Sequence, residues 1–106
     1  MWKGYYIVGD KTVKLLLKDL QCDPEDGIME SDGSDDHAGH FVLSGVVSKS
    51  RKVKFFLSYD NGDTKYFQGM MKSDLKLMSG SWGMNPEDNE DVFRLQKSTS
   101  GVGFAT

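Results

Sequence analysis

The stretch GSDDHAGHFVLSG, Gly33 to Gly45, gathers Asp35, Asp36, His37 and His40 directly ahead of an alternating apolar run. Such side chains ligate transition metals or pass protons, and His37 and His40 would neighbour one another if the segment were helical. In a strand, residues three apart point to opposite faces. His37 also precedes Gly39 in what reads as a turn, so the four side chains do not converge and no metal site is expected. The DGSDDH run lacks the spacing of an EF-hand loop and has no glutamate at its far end. The stretch reads as the solvated acidic lip of a β-strand.

Other catalytic chemistry is thinner still. The sequence holds no G-x-S-x-G elbow, no Walker loop, no G-x-G-x-x-G between a strand and a helix, and no C-x-x-C. Cys22 lies among acidic residues, which raise a thiol pKa and disfavour a nucleophile there. Eight of the 16 acidic residues fall between Asp19 and Asp36, so two neighbouring carboxylates are expected by chance and assign no acid–base role. No catalytic residue and no cofactor is assigned.

The aromatic residues say more. Trp2, Tyr5, Tyr6, Tyr59, Tyr66, Phe67 and Trp82 stand near the ends of strand-like segments, where a ring can be buried while its polar group meets a ligand. Tyr5, Tyr59, Tyr66 and Trp82 are the candidate ligand-binding residues. By the same reasoning, Tyr66→Ala should weaken binding more than His37→Ala. Trp2 and Trp82 are expected to plug one end of the core together. Of Met70, Met71, Met78 and Met84, half should be core and the rest an adaptable contact surface.

These residues must be positioned by strands, because the apolar pattern has period two almost throughout and no sustained helical period. KTVKLLLKDL places Val13, Leu15 and Leu17 on one face; HFVLSGVV places Phe41 and Leu43; KVKFFLSY places Val53, Phe55, Leu57 and Tyr59. WKGYYIVG, a short strand near Gly27 to Glu30, TKYFQGMM, DLKLMSGSWG and DVFRLQK bring the total to about eight, with Leu77, Phe93 and Leu95 completing the inward set. Asn61-Gly62 predicts a two-residue type I′ hairpin. Short strands in succession, with glycines at 4, 45, 69 and 80 inside them, predict an all-β antiparallel up-and-down barrel. Residues 1–97 are expected to form this single domain and 98–106 a flexible tail. A two-sheet sandwich is the alternative.

With 106 residues and a net charge of -3, the chain is sized for one core and lacks the basic surplus of a general nucleic-acid binder. No apolar run is long enough for a membrane helix, and MWKGYYIVGDK lacks the apolar stretch of a secretory signal. With a lone cysteine, the expectation is a cytoplasmic protein with no nucleic-acid and no membrane partner.

WKGYY, GSDDHAGHFVLSG, VKFFLSY, YFQG, GSWG and VFRL together resemble a pattern found in small calycin-like barrels of the lipocalin, fatty-acid-binding and avidin-like architecture. The resemblance spans Trp2 to Leu95, with Gly33, Asp35, Phe41 and Gly45 matching a G-x-D-x-x-G-x-F-x-I-x-G signature apart from one extra residue between Asp35 and Gly39. It implies a small apolar ligand in the barrel, or a partner at its mouth. The chain is shorter than most ligand carriers and its inward set is bulky, so a filled core competes with a cavity. A non-enzymatic binding module for a small apolar ligand or a peptide ranks first. A filled-core interaction domain using the acidic 19–36 loop ranks second, and a calycin-type enzyme third. The oligomeric state is left open.

Overall fold

A computed structural model of the chain describes residues 1–98. The flexible tail expected over 98–106 therefore lies, from residue 99 onward, outside the described residues. The strands run β1 (Trp2–Val8), β2 (Lys11–Leu17), β3 (Gln21–Cys22), β4 (Ile28–Asp35), β5 (Gly39–Val47), β6 (Lys52–Tyr59), β7 (Thr64–Met71), β8 (Leu77–Gly83) and β9 (Asp91–Lys97). Every pairing is antiparallel, and all but two join strands that follow one another in the chain. The ring closes where β9 pairs with β1 and β2 pairs with β4, giving an eight-stranded barrel with β3 as an extra strand on β4. Closure leaves almost no free sheet edge to recruit another chain.

The inward parity follows the alternation in the sequence. Val13, Leu15, Leu17, Phe41, Leu43, Val53, Phe55, Leu57, Phe93 and Leu95 are all buried. Leu77 is the exception, because Trp82 fixes the phase of β8 and so turns Met78 inward and Leu77 outward. The methionines divide as expected, with Met71 and Met78 buried and Met70 and Met84 exposed. Rings fill the interior: Phe55 stacks on Phe67 at 5.0 Å between centroids, and Phe93 meets both edge-on. Glycine makes this density attainable. A Cβ on Gly69 would lie 2.0 Å from the Ser79 carbonyl oxygen, and one on Gly33 would strike the Phe41 ring at 2.7 Å.

Trp2 and Trp82 close opposite ends of the barrel. Trp2 begins β1 opposite Leu17 and Lys97, whereas the Trp82 indole N–H donates to the carbonyl of Ile7, near the other end of β1. The acidic 19–36 segment is not one loop, since β3 and the full length of β4 run through it. The β6–β7 hairpin is not a two-residue type I′ turn. Ser58 pairs with Thr64, Tyr59 N–H donates to the Asp63 carbonyl, and Gly62 N–H donates to the Tyr59 carbonyl, leaving a three-residue loop. Only Gly62 has positive φ, at 95°, which fits a type I turn closed by a G1 bulge. Asn61 instead uses its Oδ1 to accept the Asp63 N–H.

Gly62 still carries the conformational requirement. A Cβ there would meet nothing within 4 Å, so the cost of Gly62→Val is dominated by backbone strain at its positive φ. We expect a loss of about 1–2 kcal/mol in urea unfolding. An unchanged midpoint would contradict the bulge geometry.

Candidate functional site

Four chain reversals ring one end of the barrel, and between them lies an open bowl of about 370 Å³. Val8 and Trp82 contribute apolar wall, with Met84 beside them. His37 and Ala38 enter from the β4–β5 turn, Asn61 and Asp63 from the β6–β7 turn, and Glu90 from the segment before β9. Lys65, only 7% exposed, reaches the bowl from the start of β7.

Beneath this mouth the inward parity places polar side chains where an apolar core would otherwise continue. Asp35 is buried at the end of β4. One carboxylate oxygen accepts the N–H groups of His37 and Ala38 and so holds the β4–β5 turn. The other accepts the phenols of both Tyr6 and Tyr59. Lys65 Nζ donates to the Tyr6 hydroxyl at 2.9 Å and lies over the Tyr59 ring, 4.4 Å from its centroid. The network is complete: among the described residues no buried side-chain nitrogen or oxygen lacks a partner.

The electrostatics follow from these contacts. Burial pushes the Asp35 carboxyl up, but the Tyr59 phenol, the two turn N–H groups and the Tyr6 phenol outweigh it and hold it below the ordinary aspartate value. Burial raises both phenols well above the usual tyrosine range, so Tyr6 and Tyr59 remain donors. Burial lowers the Lys65 amine, with Asp35 and Asp63 pulling it partly back. The floor is thus an amine held by a phenol–carboxylate pair, with aromatic faces around it.

The sequence candidates separate in the structure. Tyr59 and Trp82 both come to the mouth, joined through Tyr6, whose ring lies 5.1 Å from Trp82 between centroids. Tyr5 points outward between Lys14 and Arg94. Tyr66 lies on the outer wall against Phe56. His37 stands on the rim. His40 faces outward, where a hydrogen bond to Asp60 lifts its pKa. Among the described residues no three His, Cys, Asp or Glu side chains are placed to hold a metal. Cys22 is far along the opposite end, and burial together with Asp23 and Asp26 pushes its thiol up to about 12. Sequence reasoning missed Tyr6 and Lys65 as site residues and placed Asp35 on a solvated lip. Parity carried the signal for Lys65, which sits two residues before inward Phe67 and opposite inward Leu57.

No family model, curated protein or solved structure matches the chain. No helix among the described residues is long and apolar enough to cross a membrane. What the fold and site define is a class: a closed meander barrel with a ring-packed interior and an open, polar-floored mouth at the end where Trp82 lies.

Proposed function

We propose that the protein is a non-enzymatic binding module whose open mouth takes a small, largely apolar and uncharged ligand, in the manner of a small calycin-like barrel in the cytoplasm. The observation that carries this reading is Lys65, a buried amine at the floor of an accessible bowl. Burying an amine costs stability, and a methylene chain would fill the same space more favourably. A ligand carbonyl, ether or hydroxyl oxygen accepts from that amine while the apolar body lies against Trp82, Val8 and Met84. Anions are disfavoured because Asp35, Asp63 and Glu90 outnumber Lys65 around the mouth.

The packed core confines the ligand to the mouth. Phe41, Phe93, Leu43 and Leu57 occupy the interior that larger barrels leave empty. The contact group narrows to Tyr59 and Trp82 of the four sequence candidates, with Lys65 added, and His37→Ala is now expected to weaken binding more than Tyr66→Ala.

The test uses Prodan, a neutral apolar fluorophore with a carbonyl acceptor. Its emission should shift to the blue at one equivalent per chain and quench Trp82. Unchanged emission and unchanged tryptophan fluorescence at saturating protein would contradict the reading and favour the filled-core interaction domain.

A further inference from the structure

The outer wall formed by β4 to β7 carries an apolar patch that the core does not use. Ile28, Val42, Val46, Phe56 and Met70 are 52%, 45%, 58%, 38% and 46% exposed. The register sets Ile28 beside Val46 and Phe56 one row away, with Val42 and Met70 in the rows beyond. Ile28, Val46, Lys54 and Gln68 form one row across the sheet, and Glu30, Ser44, Phe56 and Tyr66 form the next. A groove of about 290 Å³ runs between Val46, Phe56 and Tyr66, walled by Pro86 and Asp88. Asn89 secures that wall by accepting from Gln68 and Ser81.

Charge is arranged about this patch with a particular symmetry. On one side of β5, the outward residues of β4 are Ile28, Glu30, Asp32 and Ser34; on the other, those of β6 are Lys52, Lys54, Phe56 and Ser58. Among the described residues the only ion pairs are those of His40 with Asp32 and Asp60, and Glu30, Lys52 and Lys54 have no charged partner among those residues. A two-fold axis lying along β5 exchanges the two sides, bringing the acidic strand of each copy over the basic strand of the other.

We infer that this wall is the contact face of a symmetric homodimer, and that its occupant is a second copy of the chain. Val42 and Val46 meet their counterparts near the axis. Ile28 of the second copy lies over the groove beside Lys54, and its Glu30 reaches Lys54 along the diagonal, a span that two long side chains bridge. The contact is isologous, so it closes after two copies and does not propagate into a fibre. The strands that the axis relates, β4 to β6, lie about 4.8 Å apart and give a contact smaller than the standard specific interface, as expected of a weak, reversible dimer. The mouth opens at the barrel end, so dimer formation and ligand binding are separable.

Sedimentation velocity of the full chain at tens of micromolar decides the matter. The expected result is a dimer whose dissociation constant rises with salt, and which Val46→Glu abolishes while circular dichroism stays unchanged. Glu30→Lys and Lys54→Glu should each weaken association roughly tenfold, because each sets like charges against one another twice across the axis. Mixing those two variants should restore it, since every contact in the mixed pair is again between opposite charges. A monomer at all concentrations, or a dimer indifferent to Val46→Glu and to the charge exchange, would overturn the inference. So would a chain that stays monomeric while acidic peptides bind the groove and compete with nothing else.

Discussion

Replacing Asp35 by alanine is expected to remove about 3–5 kcal/mol of stability, the largest loss among the polar substitutions proposed for this barrel. The carboxylate accepts from two phenols and two backbone N–H groups. Its removal strands all four donors and leaves buried Lys65 with only Asp63 to offset its charge, and breaking a buried ionic group in this way is costly. A domain of this size has roughly 5–15 kcal/mol in total, so the variant should be near the edge of folding. The same group imposes a pH dependence. Its pKa is lower in the folded chain than in the unfolded one, so its stabilisation is present above the unfolded aspartate value near 4 and is lost as pH falls through the folded value. Urea midpoints across that range should fall for the wild type and fall less steeply for Asp35→Asn. Equal slopes would mean that Asp35 does not organise the mouth.

Lys65→Met should have the opposite character. Asp35 keeps its four donors, Tyr6 loses only an incoming hydrogen bond, and the new thioether fills the space without desolvating an amine. Removing one partner of a buried pair is costly when the other is left bare, but the Asp35 carboxylate keeps all four of its donors, so the unfolding free energy should fall by no more than about 1 kcal/mol. Prodan affinity should nevertheless fall ten- to a hundredfold, because a hydrogen bond from an amine to the ligand oxygen contributes about 1.5–3 kcal/mol. Lost binding with retained stability is the signature of a residue kept for function. Lost stability with retained binding would make Lys65 a structural member of the network and empty the proposed site of its chief donor.

The barrel was legible because its evidence is local. Alternation in KTVKLLL, HFVLSGVV and KVKFFLSY sets which residues face inward, and sheet closure follows from short connections between successive strands. The mouth was less legible because it is assembled from positions far apart in the chain: Tyr6, Asp35, Tyr59 and Lys65 meet only after register is fixed. Asp35 was conspicuous in GSDDHAGH, yet local composition pointed to a solvated lip, and only the β2–β4 closure shows it turned inward opposite Leu15. Its neighbours Asp36 and His37 do lie on that lip, exposed as the sequence implied. The misplacement of Trp2 has a similar origin. Nearness to a strand end says that a residue is near a rim, but which rim depends on strand direction.

The most direct test of ligand binding at the mouth is an amide chemical-shift titration of the chain with Prodan. Binding above Lys65 predicts saturable shifts confined to Val8, His37, Ala38, Asn61, Asp63, Lys65 and the Trp82 indole N–H, with Tyr5, Tyr66 and Cys22 unmoved. Shifts centred instead on Val46, Phe56 and Tyr66, or none at all at saturation, would contradict it.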